Sequence, residues 1–368
     1  MSLARFARSL LPWLAAAPLL AQNPEPGLTP APATPSPPVA ALAAMNAFAA
    51  ADPGHADWVA AHGKAIEWLR THSAADGRVA AAADGARDPV ADVAATAAAL
   101  LAFGSSGASL RLGTYRVQVR AAAKWLIDQQ REDGWFCDPS LESAGLAQAL
   151  AAAALVQAFV DSAHRPYAAY AERAVEPFKD AKAKPLLGEQ LALAIAAVAD
   201  RHLRPDDGTR SVLPLGVARL APLLAANGTG REPAGSFAIV GALPGTQEMA
   251  ALAIAMACRG TNAVADADAR WKALAARLCE MPTRFGKNGE LLDAMTLWCA
   301  SDVAFQLGGD ARVAWERVLL AGVVPRFAGA APAGSITFAC GPKVLRNEAA
   351  ETALAALALA APWYRVGR

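Results

Sequence analysis

Two carboxylates four residues apart, Asp88 and Asp92, come nearest in type and spacing to acid chemistry in this chain. Crowded carboxylates can hold a proton between like charges, the arrangement from which general-acid chemistry is built. The competing reading places Asp92 at a helix start, where its charge meets the positive end of the macrodipole. Asp206-Asp207-Gly208-Thr209 also pairs two acids, but after Pro205 it reads as turn chemistry. Asp133 beside Trp135, and Asp293 near Trp298, set an acid next to a ring of the kind that stacks on sugars. Each of these reads better as a turn or helix-surface aspartate. All five histidines (His55, His62, His72, His164, His202) precede residue 203. His62 and His72 flank one helix and read as surface residues. No metal site and no cofactor is expected.

The elements that must position these residues are helices. Apolar residues recur at three- and four-residue spacing, or run on as Ala/Leu stretches, over 57–71, 90–104, 115–130, 141–162, 167–183 and 188–203. The pattern resumes over 215–226, 246–259, 265–279, 290–308, 311–323 and 348–364. Gly, Pro, Asp and Asn punctuate them, and only residues 235–240 and 335–338 look extended. Residues 141–160 are apolar enough to suggest a membrane span. Gln148 and Gln157 interrupt them, so a buried inner helix is the better reading.

Hydrophobic residues make up 55% of the 368 and charged ones only 18%, enough for a large core built mostly of alanine. The formal charge is +1 and the basic residues are scattered, so neither a nucleic-acid footprint nor a polybasic membrane patch is expected. Arg5 and Arg8 followed by the apolar residues 10–20 read as a signal peptide over residues 1–21, making the protein exported, or tethered if the signal is retained. The Pro-rich residues 22–40 read as a semi-stiff linker, leaving 41–368 as the folded domain. Five cysteines (Cys137, Cys258, Cys279, Cys299, Cys340), with no C-x-x-C spacing, leave at least one thiol free; buried inert thiols are favoured over disulfides. Asn227-Gly228-Thr229 fits a glycosylation acceptor but reads as a turn.

One pattern repeats. Lys64-Ala65-Ile66-Glu67-Trp68-Leu69 with Asp76-Gly77 returns as Ala121-Ala122-Ala123-Lys124-Trp125-Leu126 with Asp133-Gly134. Both the Trp-Leu and the Asp-Gly pairs are displaced by 57 residues (125 − 68 and 133 − 76), the length of two helices and their turns. A third, weaker copy starts at Arg173-Ala174-Val175-Glu176-Pro177-Phe178, so the repeats lie near 64–79, 120–136 and 173–184.

Arg120-Ala121, Trp125-Leu126, Gln130, Gly134 and Phe136 resemble the QW repeat of the squalene/oxidosqualene cyclase and protein prenyltransferase superfamily. Phe136 stands where that pattern has Trp, with Trp135 adjacent; in the first copy Ser73 replaces the Gln and Val79 the aromatic. Residues 92–103, Gly308-Gly309 through Trp315, and 351–365 are similar to further segments of exported bacterial members. The resemblance implies an all-α fold, an α/α toroid with inner helices lining a cavity and outer helices wrapping them. It also implies packing roles for Trp68, Gly77, Trp125, Gln130, Asp133, Gly134, Trp135 and Phe136, with Gln130 bonding backbone of a neighbouring helix end.

The superfamily's chemistry is not matched. Asp-x-Asp-Asp, Asp-Asp-x-x-Asp and the C-terminal zinc histidine are absent from the sequence, and Cys340-Gly341-Pro342 departs from the thioester motif of related toroids. Aromatic residues are only 7% of the chain, few for sheltering a carbocation. The expectation is therefore an exported, non-catalytic toroid that binds a protein partner or a small apolar ligand. A triterpene-cyclase-like enzyme using Asp88 and Asp92 is the alternative, and a carbohydrate-active enzyme the third reading.

Overall fold

The computed structural model describes residues 37–81, 87–179, 294–328, 334–338 and 343–364. Helices account for 73% of these, with no strand among them, so the all-α expectation holds. The signal region, most of the linker, the expected helices between 188 and 279, the extended stretch 235–240, the end of the third repeat copy, Asp206-Asp207, Asp293, the Asn227 sequon, and Cys258, Cys279 and Cys340 lie outside the described residues.

Helix α1 (Pro37–Ala51) begins inside the stretch expected to be linker. Proline is tolerated in a first helical turn, and the alanines behind it propagate the helix. Then come α2 (Pro53–Thr71), α3 (Pro89–Ser105), α4 (Arg116–Gln129), α5 (Ala144–Ser162) and α6 (Ala168–Val175). The later described part holds α7 (Ala294–Leu307), α8 (Gly309–Val318), α9 (Val324–Ala328) and α10 (Glu348–Ala360). A π-helical turn, Leu319–Val323, joins α8 to α9.

The helix starts follow from local chemistry. Asp52 accepts from Gly54 N–H at 2.7 Å ahead of Pro53, and Asp88 accepts from Val90 and Ala91 N–H at 3.1 and 3.0 Å ahead of Pro89. Asn347 accepts from Ala350 N–H at 2.8 Å, with Glu348 and Glu351 in the first turn. In each case a short polar side chain satisfies donors that the helix leaves orphaned.

Three helices form the core. In α3 every residue but Pro89 is buried, and in α10 every residue but Glu348. Helix α3 lies between α5 and α10, and α10 also packs on α7. The contact faces are largely alanine, which lets the backbones approach closely. Among the described residues only α5 is long and apolar enough to cross a membrane. Most of it is buried against α3 and α6.

The two ends of the described chain meet. Trp58 Nε1 donates to the Leu359 carbonyl at 2.7 Å, and Trp363 Nε1 donates to the Ser105 carbonyl at 3.1 Å. Phe48, His55, Trp58 and Trp363 stack or meet edge-on around these bonds. Helices α9 and α10 pack against α2, so the last hairpin covers the first.

Candidate functional site

Both speculative acids sit at the start of α3, and both are engaged. Asp88 is the N-cap. Asp92 is buried, with one oxygen 3.1 Å from Arg78 Nη1 and the other accepting from Ala81 N–H at 2.9 Å. The reading of Asp92 as a helix-start residue is therefore incomplete. It also holds the incoming loop by an ion pair and a backbone bond.

The loops carry the repeat. In the first, Arg78 N–H donates to Asp76 Oδ1 (3.0 Å), Ala74 N–H to Arg78 O (2.8 Å) and Gly77 N–H to Ala74 O (2.9 Å). In the second, 57 residues on, Trp135 N–H donates to Asp133 Oδ1 (3.1 Å), Arg131 N–H to Trp135 O (2.8 Å) and Gly134 N–H to Arg131 O (3.0 Å). Asp133 is thus a turn aspartate, also paired with Arg131 on the surface. Gly77 (φ +95) and Gly134 (φ +90) adopt the left-handed geometry that the turn requires. A Cβ on Gly77 would collide with the Ala121 carbonyl of α4, and one on Gly134 with the Arg173 carbonyl of α6. The first glycine lets its loop lie directly on α4, and the second lets its loop lie directly on α6.

Beyond each turn the chain is held by a polar side chain of the following buried helix. Val79 N–H donates to Thr96 Oγ1 at 3.0 Å, and Phe136 N–H donates to Gln148 Oε1 at 3.0 Å. Gln148 Nε2 donates to the Gly134 and Ala174 carbonyls at 2.9 and 2.8 Å, so one amide ties a loop, α5 and α6 together.

The same device appears a third time, where no repeat was expected. Gly334 has φ +108, and a Cβ on it would fall 2.6 Å from the Lys64 carbonyl of α2. Ile336 N–H donates to Thr352 Oγ1 at 3.1 Å and Phe338 N–H to Glu351 Oε2 at 3.0 Å. Gly334, Ile336 and Phe338 stand 257 residues after Gly77, Val79 and Ala81 (334 − 77, 336 − 79, 338 − 81). Glu351 does for Phe338 what Asp92 does for Ala81, and both are the fourth residue of their helix.

The remaining repeat residues lie around these loops. Gln130 Nε2 donates to the Tyr170 carbonyl of α6 at 3.1 Å, while its buried Oε1 has no partner among the described residues. Trp68 is buried and stacks on His72 at 3.9 Å; Trp125 and Trp135 are half-buried, and Phe136 is buried. The buried Trp68 Nε1 has no hydrogen-bond partner among the described residues.

His62 is buried, against the surface role expected of it, with its ring edge-on to Trp363 at 5.3 Å. Its Nε2 lies 2.8 Å from Ser105 Oγ, which itself donates to the Ala102 carbonyl at 2.7 Å. The single hydroxyl proton goes to that carbonyl, so the hydrogen-bond network assigns His62 Nε2 as donor; it is not a base toward Ser105. Burial pushes the imidazole pKa down to about 3. Cys137 is a buried free thiol, pushed up to about 11 by burial and by the neighbouring Asp138, so it carries little thiolate. Cys299 is buried in α7. Among the described residues no group of three His, Cys, Asp or Glu is placed to hold a metal ion. Compared with known proteins, the chain matches no family model, no curated protein and no solved structure.

Proposed function

We propose that this is an exported, non-catalytic protein built as an α/α toroid, whose cavity or rim binds a protein partner or a small apolar molecule. The observation that carries the non-catalytic reading is the equivalence of Asp92 and Glu351. Two buried acids at the same helical position, in hairpins far apart in sequence, both accept a backbone N–H from an extended segment. In the second hairpin Gln148 takes the part that Thr96 has in the first, accepting from Phe136 N–H as Thr96 does from Val79 N–H. A buried carboxylate that accepts a backbone N–H, as Asp or as Glu, fills a hydrogen-bond role, which favours structure over proton donation to a substrate.

The toroid is supported by how the units follow one another. The first glycine loop lies on the second outer helix, the second on α6, and the last on α2, so the succession returns to its start. Alanine-faced contacts of α3 with α5 and α10 also favour packing over an aromatic-lined reaction cavity.

The test is mass spectrometry of what copurifies with the mature protein, together with incubation with squalene. A stoichiometric protein or apolar molecule and no turnover is the expected result. Squalene cyclisation that disappears in Asp92→Asn would overturn the reading and restore the cyclase-like alternative.

A further inference from the structure

Between Asp92 and Asp128 the chain has no acidic residue, while Arg111, Arg116, Arg120 and Lys124 fall in its second half. Spread along a helical repeat, four cations look sparse. The fold draws three of them onto one built turn. Ser109 N–H donates to Leu112 O at 2.8 Å, and Ser109 Oγ accepts from Arg111 and Leu112 N–H at 3.3 and 3.1 Å. Gly113 (φ +93) folds the chain back so closely that a Cβ would fall 2.7 Å from Ala108 Cα. Arg120 Nε then donates to the Leu110 carbonyl at 2.5 Å, binding the first turns of α4 to the loop. Tyr115, in contact with the Phe103 ring, anchors the base.

This turn displays aliphatic side chains rather than hiding them. Leu112 is 48% exposed and Val117 63%, the latter the most exposed large aliphatic side chain among the described residues. Arg111, Arg116 and Arg120 are exposed around them, and none has a carboxylate partner among the described residues. The nearby acids are neutralised: Glu67, whose charge reaches the Tyr115 phenol, is held by Arg70, and Asp128 is paired with Lys124.

We propose that residues 109–120 form a docking surface for an anionic lipid bilayer. Leu112 and Val117 enter the interfacial region while the arginines engage lipid phosphates, whose geometry suits the guanidinium fork. A folded acidic partner would complement the arginines, but two separate aliphatic side chains set among cations, with no larger apolar patch at their centre, match shallow insertion at a bilayer surface more closely than a protein interface core. A bilayer accounts for both.

Flotation of the full chain with phosphatidylcholine vesicles, with and without phosphatidylglycerol, tests this. Binding is expected only with the anionic lipid and should weaken as salt is raised. Since each cation near such a surface contributes a similar increment, Arg111→Glu with Arg116→Glu should lower binding about tenfold or more. Leu112→Ser with Val117→Ser should lower it less, and all four positions are exposed, so thermal unfolding should match the parent protein. Equal binding to neutral vesicles, or binding untouched by either pair because the N-terminal apolar segment carries it, would overturn the proposal. So would retention by a DNA duplex or an acidic peptide with no flotation.

Discussion

The first and second hairpins make the same turn from different residues. Asp76 and Asp133 cap it alike, and Gly77 and Gly134 press it alike onto a later helix, α4 and α6 respectively. They differ in how the turn is tied onward. In the second hairpin Gln130 reaches α6, and Gln148 satisfies three backbone groups at once. In the first, Ser73 stands in place of Gln130 and donates back to Leu69 of its own helix at 2.7 Å, leaving Thr96 and Asp92 to hold the loop. What recurs is therefore a set of backbone demands. The side chains that meet them are free to vary, provided they supply an acceptor at the right helical position.

Breaking the shared part should cost most. Gly77→Ala or Gly134→Ala combines a left-handed backbone penalty with a collision against carbonyl oxygen, together about 3 kcal/mol or more in urea unfolding. Gly308 (φ +69, ψ −159) faces open space, so Gly308→Ala should show the backbone cost without a collision, about 1–3 kcal/mol. Equal losses at the three sites would remove the close approach from the account.

Breaking the tie should separate the hairpins. Gln148→Ala leaves a buried N–H and two carbonyls wanting and should destabilise by about 3 kcal/mol, against about 1–2 for Thr96→Ala. Urea midpoints with unchanged slopes read this difference.

The junction of the first hairpin with the chain's end gives a pH dependence. The folded pKa of His62 lies below its unfolded value, so the neutral ring is the one the fold accepts. This contribution is complete above about pH 6.5 and is lost progressively as pH falls toward about 3, by about 2 kcal/mol between pH 7 and pH 5. Urea midpoints across that range should show the fall, and His62→Gln should flatten it. A parent protein as stable at pH 5 as at pH 7 would contradict the buried neutral imidazole.

Smaller effects sharpen the roles of the acid and the glutamine. Asp92→Asn keeps an acceptor for Ala81 but loses the charge opposite Arg78, for about 1–2 kcal/mol. Gln130→Ala should cost about 1 kcal/mol and Ser73→Ala about half that, because only the former joins two helices, α4 and α6. Thermal unfolding of the pair, read side by side, checks the order.

The turns were legible because their requirements are local. Asp-Gly at a 57-residue spacing carries both the side-chain acceptor and the left-handed glycine. The buried helices were legible from their Ala/Leu runs and their Asp-Pro or Asn starts. The ties were not, because Thr96, Gln148, Glu351 and Thr352 appear in sequence merely as polar interruptions of apolar helices. The backbone N–H groups they hold lie 12 to 17 residues upstream in loops that only packing brings close. The hairpin at Gly334 escaped notice for a related reason: Ala333 stands where the other turns have Asp, and no Trp follows. The remaining signal is Gly-x-aliphatic ahead of an apolar helix with polar residues in its first turns. His62 was misjudged because Trp363, which covers it, lies 301 residues away (363 − 62).

Amide hydrogen exchange at Val79, Phe136 and Ile336 tests the central claim, that three glycine-led segments are held by one structural device. All three amides should be strongly protected, and Thr96→Ala, Gln148→Ala and Thr352→Ala should each strip protection chiefly from its own partner. An Ile336 amide that exchanges at the rate of open chain while the other two stay protected would contradict the equivalence, and with it the structural assignment of Asp92 and Glu351.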